Sequence, residues 1–199
     1  MSTSSTMTQA TIERRAFVAD LLKACPQALV ITGLGSPTYD VFAAGDSANH
    51  FYLWGAMGGT TAMGLGLALA QPERPVLIVT GDGEQLMGMG SLATAAAQQP
   101  QNLSIVVLDN GHFGETGMQR SHTSLGTRLA EVAKACGVSH AQEVFAHDEL
   151  PALAQRINAR SGMLLAQVHI RQDEIPRVLP SRDGVYLKNR FREALGFAS

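Results

Sequence analysis

Short apolar runs that end in glycine-rich turns alternate with helical segments along most of this sequence. The runs are rich in Val, Ile and Leu and show no clean alternation of apolar and polar residues, which is typical of parallel strands buried on both faces. The predicted strands are 28–32, 50–54, 75–80, 103–108, 138–144 and 163–170. The predicted helices are 11–24, 60–70, 85–98, 129–135, 148–159 and 185–195. This order predicts an α/β fold, a doubly wound and mainly parallel sheet flanked by helices.

The length and composition of the chain indicate one domain. Its 199 residues suffice for one substantial core, and a content of 45% hydrophobic and 16% charged residues is typical of a globular protein. We expect a disordered, Ser/Thr-rich tail at 1–8 and a single domain over 9–199. An irregular arm is expected from about 171 onward, because Pro176 and Pro180 interrupt regular structure there.

Charge and hydropathy argue against two classes of partner. The formal net charge is −2 and no long run of Lys or Arg is present, so neither nucleic acid nor a membrane surface is expected to bind. The longest apolar stretch, 62–70, is far shorter than the roughly 20 residues of a spanning helix. Cys25 and Cys136 lie far apart and outside any metal-site spacing, which indicates reduced thiols and a cytoplasmic protein.

Four glycine-rich turns follow predicted strands and should meet at one edge of the sheet, where ligands of open α/β sheets bind. They are 33–38, 55–59, 81–83 and 109–112. Asp82 and Asn110 each follow a strand, so their side chains can approach each other in space. Two oxygen ligands of this kind suit Mg²⁺, and the glycines allow backbone N–H groups to approach phosphates.

The sequence Gly81-Asp82-Gly83 after one strand, with Asp109-Asn110-Gly111 after the next, resembles the signature of thiamine-diphosphate enzymes of the decarboxylase and acetolactate synthase group. The resemblance implies thiamine diphosphate and Mg²⁺ as cofactors. It implies Asp82, the Asn110 side chain and the His112 backbone carbonyl as metal ligands. Two ordinary strand–helix turns are the alternative interpretation of the same residues.

The resemblance also assigns contacts to the diphosphate. It places Gly81, Gly83 and the backbone N–H of Glu84 against the phosphates, together with the first turn, which contains Gly35 and Ser36. Relatives usually have Ser or Ala at position 84. Because a carboxylate beside the diphosphate would be repelled, we expect the Glu84 carboxylate to point away from the phosphates. A role for Ser36 or Thr38 in capping a helix explains the first turn equally well.

The segment Trp54-Gly55-Ala56-Met57-Gly58 resembles the family segment that precedes the signature. By that resemblance the Gly55 carbonyl accepts a hydrogen bond from the 4′-amino group of the cofactor. Met57 would wedge the cofactor into its bent shape. Taken alone, Met57 would be interpreted as a core methionine near the start of a helix.

The residues that follow Asn110 line the substrate side of the thiazolium ring in relatives. Phe113 is expected to contact the cofactor there. His112 and Glu115 are the catalytic candidates, because an imidazole and a carboxylate can relay protons to the carbanion left after CO₂ departs. For Glu115, a solvated charge at a helix start stays an open alternative. Arg120 and His122 are weaker candidates for contacting an anionic substrate, since surface exposure explains them as well.

Members of this family activate the cofactor with a glutamate from a separate pyrimidine-binding domain. No Glu ends a strand ahead of the signature in this sequence, so we expect a partner chain to supply it. Segments 87–94, 116–119, 133–137 and 188–195 make the chain similar to the β subunits of sulfopyruvate decarboxylase and to phosphonopyruvate decarboxylase. Relatives usually have Gly-Gly-Gln where this chain has Gly117-Met118-Gln119.

The resemblance therefore implies a β-type subunit of a split decarboxylase of 2-oxo acids, active in a hetero-oligomer with its pyrimidine-domain partner. A carboligase, or a lyase that passes its intermediate to an oxidant, is the nearer alternative. A non-catalytic nucleotide-binding module is the more distant one, and it is disfavoured because Gly33-Leu34-Gly35 has no third glycine at dinucleotide-loop spacing.

Overall fold

A computed structural model describes residues 10–198, so the tail expected at 1–8 lies outside the described residues. The helices are α1 (Arg14–Ala24), α2 (Ser36–Ala43), α3 (Thr60–Ala70), α4 (Asp82–Met87), α5 (Gly90–Gln98), α6 (Leu129–Ala135), α7 (Leu150–Ala159) and α8 (Gly184–Ala194). The strands are β1 (Leu29–Thr32), β2 (His50–Tyr52), β3 (Val76–Gly81), β4 (Leu103–Asp109), β5 (His112–Phe113), β6 (Gln119–Arg120), β7 (His140–Val144) and β8 (Leu164–His169).

Six strands form one parallel sheet in the order β2-β1-β3-β4-β8-β7. The chain moves from β1 outward to β2 and then returns to β3 on the other side of β1. The strand order therefore reverses between β1 and β3, which creates a crevice at the carboxyl ends of these strands. The predicted doubly wound α/β fold is confirmed.

Both faces of the sheet are buried under helices. Successive β1 residues face opposite layers: Val30 packs with Phe17 of α1, whereas Ile31 packs with Leu65 of α3. The first layer is built on α1, α2 and α7, and the second on α3, α5 and α6. Helix α8 contributes Leu187 to the first layer and Phe191 to the second. Burial on both faces explains why the strand sequences are apolar throughout.

The predicted helix 85–98 is wrong, because two helices, α4 and α5, occupy this region and Gly88 and Met89 separate them. The backbone of Gly88 lies so close to Gly58 that a Cβ atom at 88 would be 2.2 Å from the Gly58 carbonyl oxygen. This contact between distant segments fixes the break. Helix α2 and the β5–β6 hairpin were not predicted either, since both are short and lie among turn residues.

Residues 171–183, which contain the expected arm, form no helix or strand before α8 begins. Two side chains hold the arm through its carbonyl groups. Arg15 Nη2 of α1 donates to the Pro176 carbonyl, and Trp54 Nε1 donates to the Ser181 carbonyl. Helix α8 then packs on the β2 edge through Phe191 and Phe51, whose ring centroids are 5.6 Å apart. Among the described helices, none combines the length and apolar character that crossing a membrane would require.

Candidate functional site

A cavity of about 200 Å³ opens where the chain leaves β1, β3 and β4, at the reversal of strand order. Ten of the residues singled out from the sequence line it. They are Ser36, Met57, Gly81, Asp82, Gly83, Glu84, Asn110, His112, Phe113 and Glu115. Gly35 and Gly55 do not line this cavity. The fold thus brings residues from four separate turns to one place.

Asp82 is a buried carboxylate at the start of α4, with 2% of its surface exposed. Its Oδ2 accepts hydrogen bonds from Ser121 Oγ and, at 3.3 Å, from Thr123 Oγ1. Burial, and then the neighbouring Asp109 carboxylate, raise the pKa of Asp82 to about 6. Burial and a neighbouring negative charge both disfavour the ionised form of this carboxylate, so a nearby cation would stabilise it.

The Asp109 carboxylate lies near Asp82, although sequence reasoning assigned it no role. The register of β3 and β4 pairs Gly81 with Leu108, so Asp82, directly after β3, and Asp109, the last residue of β4, lie at the same level of the sheet. The Asp109 carboxylate accepts hydrogen bonds from Gln167 Nε2, Thr123 Oγ1 and the Gly111 N–H. Only its place directly before Asn110 could have pointed to it.

Asn110 and His112 form a tight local turn on the cavity wall. The Asn110 Oδ1 accepts a hydrogen bond from the His112 backbone N–H at 2.9 Å. The His112 Nδ1 lies 2.9 Å from the Asn110 carbonyl oxygen. An amide oxygen has two lone pairs, so the Asn110 side chain retains one for a further partner.

The donor set fits a magnesium ion better than a softer metal. Within residues 10–198, no three His, Cys, Asp or Glu side chains cluster so that they could hold a metal ion. The cavity instead offers the Asp82 carboxylate and the Asn110 amide. Mg²⁺ is commonly held by one or two protein carboxylates together with substrate phosphates and water.

An apolar wall faces these polar groups. Phe113 lies against the backbone of Gly83, where an added Cβ would be 2.7 Å from Phe113 Cδ1 and 3.8 Å from Met57 Cε. Met57 is 41% exposed and lines the cavity, so it is not a core methionine. Gly55 occupies the exposed turn two residues earlier, with φ of +72°.

The first turn brings Ser36 to the cavity at the first position of α2. Gly35 precedes it with φ of +85°, and a Cβ there would be 3.1 Å from Glu115 Cγ. No side chain caps α2 at Gly35, so Ser36 does not act as its cap. Thr38 is buried and donates to the Gly33 carbonyl, which braces the turn from inside.

The Glu84 carboxylate is buried and is held by two threonine hydroxyl groups. Its two oxygens accept hydrogen bonds from Thr60 Oγ1 at 2.9 Å and Thr80 Oγ1 at 2.8 Å. Burial raises the pKa of Glu84, and these two hydroxyl groups oppose the rise. The carboxylate thereby connects the start of α3 to the end of β3.

Comparison with known proteins identifies the family. Residues 38–168 match the family model of the C-terminal TPP-binding domain of thiamine pyrophosphate enzymes. The chain belongs to this family. Thiamine pyrophosphate is the same compound as thiamine diphosphate, so the family suggested by the Gly81-Asp82-Gly83 signature is confirmed.

Similar curated proteins are decarboxylases. The chain is 38% identical over 173 residues to phosphonopyruvate decarboxylase of Streptomyces hygroscopicus, covering 84% of this chain and 42% of that protein. It is 47% identical over 109 residues to sulfopyruvate decarboxylase subunit beta of Methanothermobacter thermautotrophicus, covering 55% of this chain and 58% of that protein. The corresponding subunit of Methanococcus maripaludis is 30% identical over 188 residues, covering 92% and 98%. The chain thus spans about half the length of the first two relatives and nearly all of the third.

A solved structure shares the fold. Benzoylformate decarboxylase from Polynucleobacter necessarius superposes with a TM-score of 0.70, 20% sequence identity, and coverage of 88% of this chain and 36% of that one.

The remaining candidates of the TPP-binding domain lie on its exposed rim. Glu115 lines the cavity, and its Oε2 forms a 3.0 Å ion pair with Arg177 Nη2 of the arm. Its charge is therefore paired and not only solvated. Arg120 is exposed and donates to Ser124 within its own loop. His122 is exposed and packs edge-on against Phe113, with centroids 6.2 Å apart.

Replacing Gly33 with alanine should destabilise the domain because of Glu84. The new Cβ would lie 1.5 Å from Glu84 Oε2, so the buried carboxylate would have to move. We expect a loss of about 1–3 kcal/mol in the free energy of unfolding, measured by urea denaturation. In a Glu84→Ala background the same substitution should cost clearly less, as a double-mutant cycle measures. An equal cost in both backgrounds would show that the Gly33–Glu84 contact is not responsible.

Proposed function

We propose that this chain is the β-type, diphosphate-binding subunit of a decarboxylase that uses thiamine diphosphate and Mg²⁺ to cleave 2-oxo acids. The observation that carries the proposal is the buried Asp82, which shares one cavity with Asn110 at the reversal of strand order. Family membership supports the cofactor. The names of the similar curated proteins support decarboxylation as the reaction.

In this proposal the Asp82 and Asn110 side chains and the His112 carbonyl hold the metal ion. The diphosphate lies against Gly81, Gly83, the Glu84 backbone N–H, and the turn of Gly35 and Ser36. An inward Glu84 carboxylate keeps this surface free of a further negative charge, which supports the arrangement.

Three other groups serve the organic part of the cofactor. Gly55 and Met57 contact the pyrimidine and thiazolium rings, and Phe113, which lies near Met57 beside Gly83, contacts the cofactor as well. When bound, thiamine diphosphate supplies the electron sink for the bond cleavage, and the protein supplies position and electrostatics. His112 and Glu115 hold or move protons at the open side of the cavity.

The partner is a pyrimidine-domain subunit that supplies the activating glutamate in a hetero-oligomer. Ahead of the signature, Glu13 caps α1 and Glu73 lies in the turn before β3, so neither ends a strand of the described sheet. The Methanococcus maripaludis relative, named as a beta subunit, has nearly the length of this chain. We place the complex in the cytoplasm, since Cys25 and Cys136 are free thiols.

Calorimetry with the purified chain tests cofactor binding. Thiamine diphosphate should bind in the presence of Mg²⁺, should bind far more weakly in EDTA, and NAD should give no heat. A response to NAD without one to thiamine diphosphate would favour the nucleotide-binding alternative and end the proposal.

Reconstitution tests the partner and the reaction. The chain alone should be inactive with sulfopyruvate or phosphonopyruvate. Adding a pyrimidine-domain subunit should give equal amounts of CO₂ and free aldehyde. Substantial turnover by the chain alone would contradict the need for a partner, and an acyloin product would identify a carboligase instead.

A further inference from the structure

Arg14, at the first position of α1, is a buried arginine that lines the candidate cavity. Only 7% of its surface is exposed. It also lines the adjoining cavity of about 300 Å³, beside Ser36 and Asn110. Sequence reasoning gave it no role, because an arginine near the start of an amphipathic helix is usually solvated.

The Nε of Arg14 is a buried donor that makes no hydrogen bond within residues 10–198. Its Nε lies 2.9 Å from Asp40 Oδ2, but the N–H direction misses that oxygen. Within residues 10–198, neither of these two buried atoms has a hydrogen-bond partner. By contrast, Arg15 Nε donates to Asp40 Oδ1 at 2.9 Å, and its Nη2 donates to Pro176. A buried guanidinium with open donors is costly unless a further acceptor completes it.

Arg14 and Arg15 both lie beside the Asp40 carboxylate, whose side chain is fully buried. Asp40 Oδ1 accepts a hydrogen bond from Arg15, whereas Arg14 Nε finds no acceptor within residues 10–198. The nearby Glu13 carboxylate accepts hydrogen bonds from the backbone N–H groups of Arg15 and Ala16, and Glu115 is paired with Arg177. An anion in the cavity would therefore supply the acceptor that Arg14 lacks.

The proposed cofactor would bring negative charge to this cavity. Its diphosphate carries roughly three negative charges at neutral pH, and Asp82 adds another. The two positive charges of Mg²⁺ do not balance these, so the filled site stays negative. A guanidinium matches phosphate oxygens with two parallel hydrogen bonds, which makes arginine the side chain best suited to this task.

We propose that Arg14 binds the terminal phosphate of thiamine diphosphate, next to the metal ion. The proposal rests on the function proposed above. It is placed at the phosphate end because Arg14 shares its cavity walls with Ser36 and Asn110. The Asp40 carboxylate orients the guanidinium, and Arg15 holds Asp40 from the other side.

The test compares Arg14→Met with Arg15→Met in the full chain. Both variants remove a positive charge that lies beside the Asp40 carboxylate, but Arg15 does not line either cavity. Calorimetry with Mg²⁺ measures the dissociation constants of thiamine diphosphate and thiamine monophosphate, which lacks the terminal phosphate. Arg14→Met should reduce the preference for the diphosphate roughly ten- to hundredfold. Arg15→Met should change it less than about fivefold.

The outcomes separate the two proposals. If the wild-type chain does not bind thiamine diphosphate, the proposed function fails. If it binds and Arg14→Met keeps the wild-type preference, only the role of Arg14 fails. In the reconstituted enzyme, a raised KM for the 2-oxo acid with unchanged cofactor affinity would indicate that Arg14 contacts the substrate. That result would overturn the assignment to the phosphate.

A second variant keeps the test decisive if Arg14→Met fails to fold. Arg14→Lys keeps the positive charge beside Asp40 but loses the planar fork. It should melt near the wild-type temperature and still lose several-fold of the preference for thiamine diphosphate over thiamine monophosphate. A wild-type preference in a folded Arg14→Lys chain, with Arg14→Met unfolded, would show a structural role and contradict the proposal.

Discussion

Asp82→Asn is expected to abolish Mg²⁺-dependent binding of thiamine diphosphate and, at the same time, to stabilise the unliganded chain above pH 7. The loss of binding follows from removing the charged ligand of the proposed metal site. The gain in stability follows from the burial of Asp82 and its proximity to Asp109, which raise the pKa of Asp82 to about 6. An asparagine still accepts hydrogen bonds from Ser121 and Thr123 but carries no charge to desolvate.

The pH dependence has a definite sign. Because the pKa of Asp82 is higher in the folded chain than in the unfolded chain, its contribution to stability is fully present below about pH 4. That contribution is lost as the pH rises through about 6. Asparagine should therefore stabilise the unliganded chain by about 2 kcal/mol at pH 8 and by far less at pH 4.

Two measurements check this result. Calorimetry records Mg²⁺-dependent cofactor binding, and thermal unfolding at pH 4 and pH 8 records the difference in stability. Asp148→Asn, at an exposed carboxylate just before α7, serves as the control and should change neither quantity appreciably. Wild-type cofactor affinity in Asp82→Asn would show that Asp82 is not a metal ligand.

Gly88→Ala is the substitution expected to damage the fold and the site together. The added Cβ would lie 2.2 Å from the Gly58 carbonyl oxygen and 3.0 Å from the Gly58 carbonyl carbon. Both contacts are with backbone, so no rotamer change relieves them. We expect a loss of about 3 kcal/mol in the free energy of unfolding. Displacement of Gly58 should also move Met57 and weaken binding of thiamine diphosphate.

Gly90→Ala provides the matched control, because a Cβ at 90 would meet nothing within 4 Å. Gly90 begins α5, where alanine should be neutral or stabilising by up to about 1 kcal/mol. Urea denaturation of both variants, with calorimetry of the cofactor, gives the comparison. Similar stability of Gly88→Ala and Gly90→Ala would contradict the importance of the Gly58–Gly88 contact.

The sequence predicts those features that local patterns determine. Helix α3 has the bounds 60–70 that the sequence predicts, because turn signals at 55–59 and 71–72 delimit it on both sides. The break between α4 and α5 was not predicted, because it depends on the approach of Gly88 to Gly58 from a distant segment. The site residues near the Gly-Asp-Gly signature were located for the same local reason, as each follows a strand.

Residues that act through tertiary contacts could not be predicted in this way. Arg14 and Asp109 have no local pattern that separates them from ordinary charged residues. Met118 shows the converse case: relatives usually have glycine there, and the structure supplies a reason. Its φ is +60°, in the left-handed region that favours glycine.

The buried Glu84 carboxylate has a consequence for comparing members of this family. It fills the space where a side chain at position 33 would otherwise stand, so the two positions constrain each other. A chain with Ser or Ala at 84 leaves that space open and relaxes the requirement for glycine at 33. The pair of residues at 33 and 84 therefore distinguishes two ways of packing the turn after β1, and an alignment of sequences would reveal which one a given chain uses.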